Sequence, residues 1–180
     1  WHRLVGFMRD HNRPVIWVTT TLRPDAADSA LAEDWLQGRR SAAGPFFVDG
    51  TWGAEISDEL PHQAEDFSVV KKGHSAFADT ALDRLLHNLG VTQCIIAGAG
   101  VEDAIAETAR TGGRLGYEQF VVEDALLPPS AQLRMARAAA ELVRCDDVFD
   151  AAIGPAPSVE EPAYAMILVD MQNDFMNNDS

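Results

Sequence analysis

Short apolar runs alternate with amphipathic stretches along most of the chain. The apolar runs predict strands at residues 15–18, 67–70, 92–97, 117–122 and 165–169. Helical spacing of apolar residues predicts helices over residues 1–11, 80–90, 102–111 and 131–143, and residues 146–149 are interpreted as a short edge strand. Strands that alternate with helices indicate an α/β sheet with right-handed crossovers. We therefore expect a three-layer α/β/α sandwich around a mostly parallel, doubly wound sheet of about six strands.

The run at residues 165–169 is apolar throughout and ends abruptly in Asp170. A run of this length between polar residues is typical of a fully buried strand in a parallel sheet. A carboxylate at the carboxyl end of a central strand lies where open α/β sheets bind their ligands. The alternative is that Asp170 only forms a turn or caps a helix. The strand expected at the centre of the sheet is thus the last in the chain, after a proline-containing linker at residues 153–162.

Residues 22–61 have little regular pattern but carry several aromatic residues, among them Phe46 and Trp52. A loop-rich segment of this length in a compact domain is usually functional. We expect it to line or cover a pocket. The alternative is a surface excursion that is packed by its own aromatic side chains.

Composition and charge narrow the class of protein. A chain of 180 residues with 47% hydrophobic residues is expected to form a single domain over residues 1–180. The net charge of -14 argues against non-specific binding to nucleic acid or to an anionic membrane. No apolar run approaches the roughly 20 residues that a membrane-spanning helix needs. Two cysteines, Cys94 and Cys145, do not make a disulfide framework, so we expect a reducing, cytoplasmic setting.

Three segments carry a family resemblance: ILVDMQNDF (167–175), VVKKGHSAFADTALDRLLHNLG (69–90) and IIAGAGVEDAIAETAR (95–110), with GYEQFVVEDA (116–125) in support. Together they resemble the isochorismatase-like superfamily of hydrolases, which includes nicotinamidases, carbamoyl and ureido amidohydrolases, and isochorismatases proper. In that family the strand with the catalytic aspartate comes first. The resemblance therefore implies a circular permutation that moves this strand to residues 163–175. A truncated tandem repeat is the alternative.

The resemblance also implies roles for individual residues. Asp170 and Lys71 correspond to the Asp and Lys of an Asp-Lys-Cys site, with Lys72 as the alternative to Lys71, and Ala104 stands at the position of the nucleophilic cysteine. In the cysteine hydrolases the Asp takes the thiol proton, and the thiolate attacks an amide carbonyl. The backbone N–H groups of Gly100 and Ala104 are the candidates for the oxyanion hole. The substrate pocket is expected to include Gln172, Phe175, Trp52, Phe46, His74 and Phe77, although His74 also fits a partly exposed structural histidine.

Ala104 decides which chemistry is expected, because a methyl group cannot attack a carbonyl. Natural divergence and an engineered Cys→Ala replacement both remain open. Neither Cys94, in the middle of a strand, nor Cys145 is expected to replace the missing thiol. The first hypothesis is a hydrolase of a small amide, ureido or carbamoyl C–N bond that is inactive or altered at Ala104. The alternatives are a Cys-independent vinyl-ether hydrolase that uses Asp170, and a non-catalytic homologue that binds a small molecule or a partner.

The resemblance sets expectations for ligands as well. Nicotinamidases hold a metal with an Asp-x-His…His set after the second strand of the family, and residues 22–60 contain no histidine. We expect no metal and no cofactor. We expect a small-molecule substrate and self-association into a dimer or tetramer.

Overall fold

The computed structural model describes residues 1–31, 46–127, 134–150 and 164–176. Six strands form one sheet: β1 (Val15–Thr20), β2 (Phe67–Lys71), β3 (Gln93–Ala99), β4 (Glu118–Leu127), β5 (Glu141–Val143) and β6 (Tyr164–Val169). The helices are α1 (His2–Asp10), α2 (Leu82–Asn88), α3 (Ala106–Leu115), α4 (Arg134–Arg137), α5 (Cys145–Asp150) and α6 (Asn173–Met176). A 3-10 helix (Trp52–Ala54) and a π-helical segment (Val101–Ile105) complete the elements.

The sheet separates two apolar clusters because successive side chains of a strand point to opposite faces. Ile16, Val18 and Ile167 belong to the cluster that α2 and α3 cover, whereas Trp17 and Met166 belong to the cluster that α1 and α5 cover. Helices therefore lie on both faces of the sheet. The expected three-layer α/β/α architecture is confirmed.

Strand β6 occupies the centre of the sheet. The strand order is β2-β1-β6-β3-β4-β5, and all neighbouring strands pair in parallel. All six residues of β6 are buried. The apolar run at residues 165–169 thus forms a central strand, between β1 and β3 as expected.

Two expectations near the end of the sheet are wrong. Residues 134–137 are helical, but the chain then enters β5, which pairs with residues 120–122 of β4. Pairing at the sheet edge overrides the helical spacing of residues 131–143, of which 131–133 lie outside the described residues. Residues 146–149 lie in α5 and not in an edge strand. The Asp147 carboxylate accepts a hydrogen bond from the Arg144 backbone N–H, as in a capping box, and this stabilises the start of the helix.

No helix among the described residues is both long enough and apolar enough to cross a membrane.

Candidate active site at the carboxyl edge of the sheet

Three neighbouring strands end in a buried polar cluster. Thr20 and Lys71 are partners in the register of β1 and β2, and Asp170 follows the last residue of β6. Lys71 Nζ lies 2.9 Å from Asp170 Oδ2, and it donates hydrogen bonds to Thr20 Oγ1 at 2.6 Å and to the Gly73 carbonyl at 3.0 Å. The Thr20 hydroxyl donates in turn to Asp170 Oδ1 at 2.7 Å. All three side chains of this Lys71–Thr20–Asp170 cluster are buried.

The cluster holds its ammonium group in one position. An ammonium group has three N–H donors, and each of the three on Lys71 has an acceptor. A charge this deeply buried is tolerated only when it is paired and hydrogen-bonded. Thr20 was not among the residues expected at the site. The three threonines at the end of β1 were the available signal, but they do not tell which hydroxyl faces Asp170.

The backbone at Asp170 turns sharply away from the sheet. Its N–H still donates to the Val18 carbonyl at 2.8 Å, so the sheet hydrogen bonding reaches this residue. Its φ of 53° then places it in the left-handed region, which a residue with a short polar side chain adopts more easily than most. Non-glycine residues in such conformations are concentrated at functional sites. The turn fixes where the carboxylate lies relative to Lys71.

A glycine turn after β3 completes this edge. Gly98 pairs with Val169 and has φ 129°, and a Cβ on Gly98 would lie 2.1 Å from the Val169 carbonyl oxygen. Only glycine therefore lets β3 approach β6 this closely. Gly100, with φ 75°, is the residue that precedes the π-helical segment. Such segments are frequent at functional sites.

Ala104 lies in the first turn of that segment. The side chain is buried, and a Cβ built on Gly100 would lie 3.3 Å from the Ala104 Cβ. The first hydrogen bond of the segment runs from the Ile105 N–H to the Gly100 carbonyl, so the Ala104 N–H precedes it and belongs to the donors of a helix start. The N–H of Gly100 already donates to the Leu127 carbonyl at 3.3 Å. Of the two expected oxyanion donors, Gly100 is thus engaged within the protein.

The side chain of Gln172 holds Thr20 in place through hydrogen bonds. It is fully buried, its Nε2 donates to the carbonyls of Thr20 and Ala54 at 2.7 Å each, and its Oε1 accepts from the Thr20 N–H. Every polar atom of the side chain is engaged. Gln172 was expected in the substrate pocket, but the structure places it as a brace between β1 and the loop that contains Ala54.

The residues after Gln172 hold the same loop. Asn173 Nδ2 donates to the Trp52 carbonyl at 2.8 Å, and Asp174 Oδ2 accepts from the Phe47 N–H at 2.7 Å. A Cβ on Gly53 would lie 2.2 Å from Asp174 Oδ1, so a side chain there would displace the Asp174 carboxylate. The tripeptide Gln172–Asp174 therefore anchors residues 47–54 at the carboxyl edge.

The aromatic residues expected in the pocket lie in different surroundings. Trp52 is 59% exposed. Phe46 is half-buried and packs against Leu22, Leu31 and Phe47. Phe77 is buried in the core and stacks on Tyr117 with ring centroids 5.7 Å apart. The side chain of Phe175 lies outside the described residues.

His74 lies three residues after Lys71, beyond the end of β2, and is half-buried. Burial lowers the pKa of His74, and the positive charge of Lys71 acts in the same direction. The negative charges of Asp103, Asp170 and Glu107 raise it but do not outweigh burial. The imidazole is thus electrostatically coupled to both charged members of the Lys71–Thr20–Asp170 cluster and, at neutral pH, favours its uncharged form.

Lys72 points away from the cluster, as alternation along a strand requires. Its ammonium group contacts the Asp28 carboxylate at 2.8 Å and the Thr21 carbonyl, and the side chain is 39% exposed. Of the two lysines considered for the site, only Lys71 reaches Asp170.

Neither cysteine has the properties of a nucleophile. Burial raises the pKa of Cys94 to about 12. Burial, followed by the Asp124 carboxylate, raises the pKa of Cys145 to about 11. Because the thiolate is the reactive form, both thiols are inert at neutral pH. Within the described ranges, no group of three or more His, Cys, Asp and Glu residues is arranged to hold a metal ion.

The chain matches known proteins in sequence and in fold. Ureidoacrylate amidohydrolase RutB from Pantoea ananatis is 31% identical over 90 residues, which are 50% of this chain and 36% of that protein. The chain spans less than two thirds of the length of the curated relatives it matches first.

Among solved structures, an isochorismatase family protein from Desulfovibrio vulgaris superimposes with a TM-score of 0.73 at 26% identity, covering 84% of this chain and 81% of that one. N-carbamoylsarcosine amidase from Thermoplasma acidophilum superimposes with a TM-score of 0.66 at 26% identity, covering 81% and 80%. The family model described as the isochorismatase domain matches residues 1–151. The chain therefore belongs to the isochorismatase family of hydrolases.

Proposed function

We propose that the carboxyl edge of the sheet is the site of a hydrolase for small amide, ureido or carbamoyl C–N bonds, altered in its chemistry by Ala104. The observation that carries the proposal is the buried Lys71–Asp170 ion pair beside the glycine turn that precedes Ala104. The similarity to an amidohydrolase of ureidoacrylate and to an amidase of N-carbamoylsarcosine supports the choice of C–N bonds.

With a cysteine at position 104, this arrangement accounts for a covalent mechanism. Asp170 takes the thiol proton, and Lys71 stabilises both anions. The thiolate sulfur bonds to the carbonyl carbon, and the oxyanion that forms is stabilised by the N–H of residue 104. The proton passes from Asp170 to the leaving nitrogen as the C–N bond breaks. Water then hydrolyses the thioester and restores the thiol.

With Ala104 the first covalent bond cannot form. The carboxylate, the ammonium group and the Ala104 N–H remain, and they bind and polarise a carbonyl compound without trapping it. The present chain is therefore proposed to bind its substrate and to lack the thioester route.

The test is Ala104→Cys, assayed for ammonia release on a panel of ureido, carbamoyl and carboxamide compounds. We expect Ala104→Cys to gain activity that Ala104→Ser lacks and that Asp170→Asn abolishes in the Cys background. The chain with Ala104 is assayed in parallel with isochorismate. Turnover of isochorismate that Asp170→Asn abolishes would favour the Cys-independent vinyl-ether hydrolase and refute the C–N proposal. Saturable binding without turnover by any variant would favour a non-catalytic homologue.

We further propose that the chain is a circularly permuted form of the family domain, in which the Asp170 strand follows the other five strands and completes the sheet of its own chain. The support is that the family match covers residues 1–151, whereas the central strand β6 lies outside it. The pairing register of β3 and β6 suggests a test of whether β6 joins the sheet of its own chain. Cys94 of β3 is the direct partner of Ala165 of β6, and both side chains belong to the same apolar cluster.

Adjacent strands are about 4.8 Å apart, which lies within the Cα separations that a disulfide spans. We expect Ala165→Cys, in a Cys145→Ser background, to oxidise to an intramolecular disulfide that runs as a monomer on a non-reducing gel. The same chain with Cys94→Ala is the control and should not cross-link. A covalent dimer would mean that β6 completes the sheet of another chain, which contradicts the proposal.

A further inference from the structure

A cavity of about 430 Å³ lies at the edge of the sheet opposite the Lys71–Thr20–Asp170 cluster. Pro14 and Val15 at the start of β1 and Phe67 at the start of β2 form its apolar wall. A volume of this size accommodates a small organic molecule. Strand β1 alone separates the cavity from Thr20 by about 17 Å, at roughly 3.3 Å per residue, so the two sites are distinct.

Arg13 is the unusual residue of this cavity. It lines the cavity and is only 7% exposed. Its Nε is buried and has no hydrogen-bond acceptor among the described residues. The guanidinium carbon lies 4.2 Å from the centroid of the Tyr164 ring. A cation–π contact offsets only part of the cost of burying a charge, and no carboxylate in the described part of the chain forms a salt bridge with Arg13.

The described charged groups that line the cavity have other surroundings. Asp66 lies 2.5 Å from Arg9 and also accepts hydrogen bonds from Trp17 Nε1 at 2.8 Å and from the Gln63 N–H at 3.0 Å. Its carboxylate is therefore engaged with partners other than Arg13. Glu65 is exposed and leaves one negative charge at the rim. Because Glu65 repels a monoanion less than a dianion such as phosphate, a ligand with a single negative charge suits Arg13 better.

We propose that this cavity binds a small organic monocarboxylate. The carboxylate pairs with the planar fork of the Arg13 guanidinium, which suits two parallel hydrogen bonds. The amide side chains of Asn12 and Gln63 line the same cavity and can donate to it. The apolar part of the ligand lies against Pro14, Val15 and Phe67, a residue that is 37% exposed. The cavity is thus a second small-molecule site, independent of the chemistry at Ala104.

Each of the two edges of the sheet has a tryptophan whose indole N–H signal can report on binding there. Trp17 donates its indole N–H to Asp66 on the cavity wall, whereas Trp52 lies at the carboxyl edge. The chain has four tryptophans, so a ¹⁵N–¹H spectrum contains four indole signals, which Trp→Phe variants assign. The probe is sodium benzoate. Benzamide is the uncharged control, and sodium chloride at equal concentration controls for ionic strength.

We expect benzoate to shift the Trp17 signal saturably while the Trp52 signal stays in place, and benzamide to cause no saturable shift. Arg13→Met should raise the Kd by at least about tenfold, and Arg13→Lys by less, because the charge remains. Lys72→Met, just past the other end of β2 from the cavity, should leave the Kd unchanged. No saturable shift of Trp17 at tens of millimolar benzoate would overturn the proposal. So would equal shifts with benzamide, or a shift of Trp52 that Lys71→Met removes. These comparisons between ligands need no variant of Arg13.

Discussion

Lys71→Met removes the cation from a buried ion pair and leaves the carboxylate of Asp170 behind. The two charged atoms are 2.9 Å apart, and the side chains are 2% and 3% exposed. At an effective dielectric constant of about 20, unit charges at this distance attract each other by about 6 kcal/mol. The desolvation of both ions offsets much of that attraction in the intact pair. In the variant, however, the carboxylate is desolvated without its partner.

We therefore expect Lys71→Met to lower the free energy of unfolding by about 3–5 kcal/mol. Asp170→Asn, which leaves the ammonium group unpaired, should have a similar effect. The double variant removes both charges, so its loss should be smaller than the sum of the two single losses by at least about 2 kcal/mol. Thr20 keeps a polar partner at position 170 in both Lys71→Met and the wild type, so the difference reports mainly on the ion pair.

The assay is urea unfolding followed by tryptophan fluorescence, with the midpoint and the slope fitted separately. Lys72→Met is the matched control, because it removes the neighbouring lysine from a pair that water screens, with side chains 39% and 28% exposed. We expect the control to change stability far less than Lys71→Met. Equal losses for the two lysines, or additive losses in the double variant, would refute the view that burial makes the Lys71–Asp170 pair interdependent.

Two further predictions concern the backbone and the acid range. Gly98→Ala should lower the free energy of unfolding by about 3 kcal/mol or more, because the new methyl group would clash with the Val169 carbonyl. Gly6→Ala in α1 is the control: a methyl group there has open space, so the variant should raise the free energy of unfolding by about 0.5–1 kcal/mol. Urea unfolding measures both changes. Burial raises the pKa of Asp66, but its hydrogen-bond donors outweigh burial and lower it overall. The stability from this carboxylate is thus present above its unfolded pKa of about 4 and is lost as pH falls through the lower folded pKa. The urea midpoint of Asp66→Asn should therefore decline less below about pH 4 than that of the wild type or of exposed Asp58→Asn; equal declines would contradict this.

The local pattern of apolar and polar residues predicted most of the architecture. Apolar runs and helical spacing are short-range properties, and they located the strands around Trp17, Ile95 and Ile167 and the helices on both sides of them. The pattern gave a wrong prediction where strand pairing overrides the local preference for a helix. The residues of β5 have helical spacing, but their backbone pairs with β4 at the sheet edge, and that partner is about 20 residues away in the chain.

The residues of the candidate site also fall into those that the sequence predicts and those that only the structure reveals. Strand alternation alone separates Lys71 from Lys72, and the resemblance of three short segments brings Lys71, Asp170 and Ala104 to one edge of the sheet. The hydroxyl of Thr20 between the two charges, and the amide of Gln172 behind them, depend on side-chain directions in three dimensions. The sequence has no short-range signal for either contact, because the partners are about 150 residues apart.

By itself, the sequence determined the α/β class, the order of most elements and the identities of the charged pair, because periodicity and short motifs depend on neighbouring residues. Only the tertiary structure decided that Gly100 already donates its N–H to Leu127, and that Arg13 is buried at a cavity with no acceptor for its Nε among the described residues. Each of these depends on residues that are distant in the chain and close in space. Burial and hydrogen-bond satisfaction are properties of that packing, which no stretch of sequence contains.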